Sequence, residues 1–285
     1  MTVLTEHRLR VGTRDVLLLE GPEGWGESSP IPGYPCDPAK AHDAAVEAAV
    51  LGYPPRVRDQ VSVNALVRSA DFDADALSGF PAVKVKMRVP ADRDLVARVR
   101  DVVGPGVGIR VDANAAWDLD TAIEVGHELA RLGVELFEQP VATLDELARL
   151  RRSCPIPVAA DESIRGVQDA RRAHALEAAD VVVLKVQPLG GVRAALDVAD
   201  AAGVPVLPTS MMETSVGVLA GLALACALPD LPLGAGLGTS SATDPDVTTR
   251  PLVAEHGRMT WRTVTPDPAL LARYAVAPSS QVVSA

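Results

Sequence analysis

The sequence predicts a (β/α)8 barrel preceded by a small α+β capping domain, and three observations carry that prediction. From about residue 61 onward, short β-rich runs alternate with Ala-, Leu- and Arg-rich stretches, the pattern of parallel strands joined by helical crossovers. Polar residues or a glycine close successive runs: Lys86, Asp112, Glu138, Asp161, Lys185, Ser210 and Gly238 lie 26, 26, 23, 24, 25 and 28 positions apart, room for one strand, one helix and two short loops. The first 60 residues lack that period. A doubly wound open sheet is the alternative, but no Gly-rich phosphate turn follows the first strand.

In chain order, Val3 to Arg10 and Asp15 to Glu20 are predicted as antiparallel strands, followed by a turn-rich Gly21 to Pro38 and a helix from Ala39 to about Leu51. Residues 1–60 are thus the expected cap, completed by a tail from about 256 to 285, with the barrel at 61–255. Its strands are predicted at Val61 to Val67, Ala82 to Met87, Gly108 to Asn114, Glu135 to Gln139, Val158 to Glu162, Val181 to Gln187, Val204 to Ser210 and Leu233 to Thr239. Leu95, Val96, Val99, Val102 and Val103 mark an apolar helical stripe after the second strand; Ile123, Val125, Leu129 and Leu132 mark one after the third. The first and eighth units are weaker, because Ala70 to Gly79 is short and the segment after Thr239 is rich in Thr, Asp and Pro.

Composition narrows the function. With 48% hydrophobic and 22% charged residues but only 3% aromatic, the 285-residue chain is globular and fills its core with aliphatic side chains. A net charge of −10 argues against a nucleic-acid surface, which needs clustered Lys and Arg. Cys36, Cys154 and Cys226 are too few and too scattered for a disulfide framework or a CxxC metal site. The N-terminus lacks the basic and apolar regions of a signal peptide, and no window reaches the ~20 apolar residues of a membrane span. The longest apolar stretch, Val216 to Leu228, reads as a buried helix. The expectation is a cytoplasmic enzyme acting on a small molecule, with no nucleic-acid or membrane partner.

The chemistry is read at the strand ends. In Lys84-Val85-Lys86 the period of two sends both lysines to one side and Val83, Val85 and Met87 to the other. Two ammonium groups inside a barrel need an anion to meet them; a lysine pair reaching water at the barrel mouth is the plain alternative. Asp112, Glu138 and Asp161 close three consecutive strands, where converging carboxylates repel one another unless a cation joins them. Hard oxygen donors with positions left open fit Mg2+, with Mn2+ as the alternative, and no His or Cys at a strand end suggests zinc. Lys185 closes the sixth strand, four away from that of Lys86 and so opposite it. A carboxylate substrate between the two would present its α-carbon to a lysine on each side. Cations meeting the developing oxygen charge make the poorly acidic α-proton removable. A lysine flanked by another cation can act as the base, and Lys84 supplies such a charge. Ser210, at a strand end, is a candidate substrate contact. The Gly-rich run 234–240 suits either backbone approach to a substrate carboxylate or tight strand packing, with Gly238 the candidate contact.

These segments, Lys84-Val85-Lys86, Arg110-Val111-Asp112-Ala113-Asn114, Phe137-Glu138-Gln139-Pro140, Ala160-Asp161-Glu162-Ser163, Leu184-Lys185 and Gly190-Gly191, together resemble the enolase superfamily in its muconate-lactonizing-enzyme branch. The resemblance implies an enolase-type modified barrel, Mg2+ on Asp112, Glu138 and Asp161, Lys86 and Lys185 flanking the substrate, and a cap whose loops close over the barrel mouth. The branch includes dehydratases, racemases, epimerases and cycloisomerases. Arg110 and Asn114 around Asp112, both expected to bind the substrate, the turn Pro208 to Glu213 and the short cap lean towards a syn dehydration of a cyclohexadiene carboxylate carrying a succinyl chain. In that reaction Lys86 is expected to take the proton and Lys185 to remain a stabilising cation. Racemisation of an N-acylamino acid, epimerisation of a dipeptide, or a non-catalytic binding role on the same barrel are the rival expectations.

Overall fold

A computed structural model describes residues 2–241, 244–276 and 281–284. The N-terminal strands β1 (Val3–Val11), β2 (Arg14–Gly21) and β3 (Gly24–Ser28) form an antiparallel meander. Strand β3 falls in the segment predicted as turn, because Gly24 and Gly26 give it the composition of a loop. Its glycine is needed for packing: a Cβ on Gly26 would stand 1.9 Å from the Ala45 carbonyl oxygen of helix α1 (Pro38–Val50). That helix starts where the Asp37 side chain accepts from the Ala39 amide, and it lays Ala41, Ala44, Ala45, Ala48 and Ala49 inward. A face of small residues lets the helix lie close on the sheet.

Eight parallel strands follow: β4 (Gln60–Val67), β5 (Ala82–Lys86), β6 (Gly108–Asp112), β7 (Val134–Glu138), β8 (Val158–Ala160), β9 (Val181–Lys185), β10 (Val206–Thr209) and β11 (Ala235–Gly238). Each pairs with the next, and β11 pairs back onto β4, closing the barrel. Outside lie α2 (Arg93–Val103), α3 (Leu119–Arg131), α4 (Leu144–Ser153), α5 (Val167–Ala175), the single turn α6 (Val186–Leu189), α7 (Val192–Ala202) and α8 (Ser215–Ala227). All eight predicted strands are present; β4 ends at Val67 as expected, and the other seven are shorter at their carboxyl ends than expected. Asn114 and Gln139 leave the strand direction at φ 48° and 37°, and residues 186–189 form α6 rather than extending β9.

The two weak units prove irregular. Between β4 and β5 there is one 3-10 turn, Asp75–Leu77, and no described helix follows β11 before β12 (Arg258–Thr260), which pairs antiparallel with the start of β4. On α2, Leu95, Val96 and Val99 are buried as expected, but Val102 is 47% exposed and faces away from the barrel. Helix α8 is apolar on every side because it is buried on every side. No described helix is long and apolar enough to cross a membrane. After α9 (Pro268–Tyr274), β13 (Gln281–Ser284) pairs with β1 and so adds a fourth strand to the N-terminal sheet. Residues 277–280 and 285 of the predicted tail lie outside the described residues.

Buried polar contacts tie the N-terminal unit to the barrel. Glu27 accepts from Ser29 Oγ (2.6 Å) and, on the barrel side, from Thr214 Oγ1 (2.5 Å) and the Gly217 amide (2.9 Å). Arg14 donates to the Met211 carbonyl (2.9 Å), to that of Met212 and to Ser29 Oγ (2.8 Å). Ser29 donates its amide to Gln187 Oε1 at 2.8 Å. The loop that follows Ser29 is thereby held above the strand ends. Glu47 of α1 accepts from the Val192 amide at 3.0 Å and occupies the amino end of α7.

Candidate active site

Inside the barrel the side chains stack in layers. Leu136, Ala159, Val181, Val183 and Leu207 form an apolar cluster in the interior. The next inward position along three of these strands brings Glu138 above Leu136, Asp161 above Ala159 and Lys185 above Val183, at the carboxyl end. Asp112 and Glu138 are in register, as are Lys86 and Asp112.

Asp112, Glu138 and Asp161 are 0, 1 and 1% exposed, and each offers an oxygen within 4.8 Å of the others. Lys84 bridges two of them, 2.8 Å from Asp112 Oδ2 and 2.6 Å from Glu138 Oε1. Lys86 donates to Asp112 Oδ2 at 2.6 Å and to Asn114 Oδ1 at 2.9 Å, while Lys185 donates to Asp161 Oδ2. Burial works against the charge on Lys84 and Lys185, but Asp112 and Glu138 around the first, and Asp161 and Glu162 around the second, outweigh it and hold both above the usual lysine range. Burial likewise opposes the charge on Asp112, yet Lys84, Lys86 and Lys185 hold its carboxyl well below the usual range. Glu138 goes the other way: burial, then the charge of Asp112, pushes it up to about 8.

Glu138 Oε2 is buried without a hydrogen-bond partner, although the lysines reach other oxygens of the cluster. An orphaned carboxylate oxygen facing two further carboxylates is a donor set for a hard divalent cation. The residues present fit such an ion. Glu162 has a similarly unpartnered Oε2, while its Oε1 accepts from Asn114 Nδ2 at 3.0 Å.

A cavity of about 1160 Å3 opens above this cluster, lined by Lys84, Lys86 and Lys185, by Asn114 and Ser210, and by the loop Ile31 to Pro35 of the N-terminal unit. Asn114 and Ser210 therefore reach the place expected of them, and Ser210 Oγ lies 2.7 Å from Thr239 Oγ1. Arg110 does not. It lies one inward position below Asp112 and donates to Glu135 Oε1 (2.9 Å), Asn64 Oδ1 (3.1 Å) and the Leu233 carbonyl (2.5 Å), away from the cavity. Gly238 is also absent from the cavity wall. A Cβ there would fall 2.3 Å from the Asn64 carbonyl oxygen, so its lack of a side chain serves close packing where β11 meets β4.

Sequence reasoning missed Tyr34. Its hydroxyl donates to Asp161 Oδ1 at 2.9 Å and its ring lies under Lys185 Nζ at 4.1 Å from the centroid. No motif signals it, since it sits in a turn-like stretch 127 residues from its partner. Gln139, which the sequence marks only as part of the segment after β7, accepts at Oε1 from the Asp161 amide (2.6 Å) and Ser163 Oγ (2.9 Å), fixing the bend that aims Asp161 inward. Asn114, Ala115, Gln139 and Met212 all carry positive φ, so left-handed backbone gathers at the carboxyl end of the barrel.

Residues 68–267 match the enolase C-terminal domain-like family, and residues 5–49 match the enolase N-terminal domain-like family. The chain belongs to the enolase superfamily. Among its relatives, the o-succinylbenzoate synthase of Thermobifida fusca is 46% identical over 95% of this chain and 88% of its own length. The synthases of Mycolicibacterium smegmatis and Mycobacterium tuberculosis are each 41% identical, over 93% and 92% of this chain and 85% and 82% of theirs. Among solved structures, muconate cycloisomerase from Pseudomonas fluorescens superposes with a TM-score of 0.79 at 24% identity, covering 96% of this chain and 97% of that one. The 2-chloromuconate cycloisomerase of Rhodococcus opacus gives 0.81 at 23%, over 97% and 98%. These two show the shared fold.

Proposed function

We propose that the chain is an o-succinylbenzoate synthase, a Mg2+-dependent hydro-lyase that converts 2-succinyl-6-hydroxy-2,4-cyclohexadiene-1-carboxylate to o-succinylbenzoate on the way to menaquinone. The match along nearly the whole chain to synthases at 41–46% identity carries this reading. The geometry supports it independently, since lysines on facing strands β5 and β9 stand on either side of a buried acidic triad.

In this reading Asp112, Glu138 and Asp161 would hold the ion, and Lys84, wedged between the first two, fixes the positions of their carboxylates. A cation held there would supply positive charge against the substrate carboxylate. Lys86, aimed by Asp112 and Asn114, takes the α-proton onto its Nζ. It then returns it, from the same face, to the departing hydroxyl, so that the substrate loses one water and becomes aromatic. Lys185 meets the opposite face with its ammonium, positioned by Asp161 and by the Tyr34 ring. Residues 1–60 with the tail from about 256 act as the cap, a unit supported by the pairing of β13 with β1.

Incubating purified protein and Mg2+ with the cyclohexadiene carboxylate, and following loss of the diene absorbance, tests the assignment; an inactive folded protein rejects it. Because both lysines face one cavity, racemisation of N-acylamino acids is the second reading. It requires Lys185 to move protons. In deuterated water, stereoinversion by the wild type that is lost in Lys185→Ala would favour it over dehydration.

A further inference from the structure

Three arginines line the cavity mouth, Arg68, Arg88 and Arg165, in a chain whose acidic residues outnumber its basic ones by 37 to 27. Among the described residues none of the three is ion-paired with a carboxylate, whereas Arg93, Arg110, Arg151 and Arg172 all are. Unpaired guanidinium groups at the rim of a cavity already holding three lysines mark a site built for more than one negative charge.

Position around the barrel separates the three. The acidic triad occupies β6, β7 and β8, with Glu138 on the middle strand. In the closed order of eight strands, the one four away from β7 is β11, flanked by β10 and β4. The residues that immediately follow these three strands are Thr239, Ser210 and Arg68. They already touch: Ser210 Oγ is 2.7 Å from Thr239 Oγ1, and Arg68 Nη2 donates to the Thr239 carbonyl at 3.3 Å. Arg88 leaves β5 two residues after Lys86, and Arg165 lies beside Glu162 on the triad's own side.

A ligand whose carboxylate is anchored at the triad, and whose α-carbon lies between Lys86 and Lys185, can extend across the cavity towards the strand ends opposite β7, where Arg68, Ser210 and Thr239 line it. We propose that Arg68, with the hydroxyls of Ser210 and Thr239, forms an anion subsite for the second, distal carboxylate of a dicarboxylate substrate. The inference rests on the proposed function for the identity of that dicarboxylate, the succinyl-bearing ring acid. Arg68 is exposed in its side chain and planar in its donor array, so it can meet a carboxylate with two parallel hydrogen bonds without first breaking an ion pair. Met211 and Met212, which follow Ser210 in the chain, line the same cavity and suit the methylene chain in between.

The test is a binding ratio, measured by calorimetry on the Mg2+-loaded protein with two probes: o-succinylbenzoate, and 2-butanoylbenzoate, in which a methyl group replaces the distal carboxylate. Arg68→Met is expected to weaken the diacid by about tenfold or more, as for loss of a charge-assisted contact, and to leave the monoacid within about twofold. Arg68→Lys should recover part of the loss. Equal binding of both probes by wild type, equal weakening of both in Arg68→Met, or transfer of the effect to Arg88→Met or Arg165→Met would each overturn the assignment. Turnover of the diene is read separately. A protein that needs Arg68 for the diacid yet does not dehydrate the diene rejects the synthase reading and keeps the subsite.

Discussion

Replacing Glu213 by Gln should make the protein more stable at alkaline pH and flatten its pH dependence. Glu213 is buried behind the Met211–Met212 turn that lines the cavity, and its Oε2 accepts from the Met211 amide at 2.5 Å. Burial, then the charge of Glu27, pushes its carboxyl from the ordinary 4.5 up to about 7. A carboxyl that holds its proton more tightly in the fold than in the unfolded chain stabilises the fold fully below pH 4.5, and that contribution is lost as pH rises through 7. At about 1.36 kcal/mol per pH unit the whole effect is roughly 3 kcal/mol, most of it expressed between pH 5 and 8. Gln keeps the shape and the acceptor but cannot ionise. In denaturant or thermal melts with saturating Mg2+, Glu213→Gln should therefore exceed wild type at pH 8 by about 3 kcal/mol, roughly 5–10 °C in Tm, and approach it at pH 5. Wild-type and variant stabilities that run parallel from pH 5 to 8 would refute the argument.

Mg2+ at about 100 times its Kd should stabilise the fold by about 2.7 kcal/mol, seen as a rise in Tm over EDTA-treated protein; Glu138→Gln should lose most of that rise. Asn114→Ala removes the acceptor that aims Lys86 and should cut kcat/KM by about 10- to 100-fold, with kcat carrying most of it, since a hydrogen bond to a charged group is worth about 1.5–3 kcal/mol. Gly26→Ala forces a methyl group onto the Ala45 carbonyl and should cost about 3 kcal/mol or more in urea unfolding. Urea midpoints within error of wild type would show that β3 and α1 separate without cost.

The sequence was most legible where one physical constraint repeats. Lys86, Asp112, Glu138, Asp161 and Lys185 each end an apolar run at one period, so both the barrel and the face on which these side chains meet could be read from spacing. Arg110 shows the limit of that reading. Period two puts it on the same side as Asp112, but only the closed barrel reveals that it lies a layer below and turns towards Asn64 and Glu135. Gly238 was ambiguous for a related reason, since a glycine reports that something comes close without saying whether it is ligand or neighbouring backbone. Tyr34 was out of reach because its partners, Asp161 and Lys185, are brought to it only by the docking of two units. Strand β3 was missed because two of its five residues are glycine: Gly24 takes a positive φ at the turn from β2, and the purpose of Gly26 lies in the helix packed across it.

The join between β11 and β4 has a consequence for how the chain can be made and cut. That seam rests on two residue pairs, Ala235 with Val63 and Gly238 with Ala65, with a shift of register between them. It cannot form until the eighth strand has been synthesised, so a ribosome-bound chain carries all three carboxylates and both facing lysines well before the ring shuts. Those five residues span one uninterrupted stretch, 86 to 185, on strands that neighbour one another in sequence as well as in space. A permuted gene that joins the paired ends of β1 and β13 and opens the chain between residues 240 and 255 would leave that stretch intact. Its product should still fold into a ring, because the new ends would lie beside the seam on the side of the barrel away from the triad.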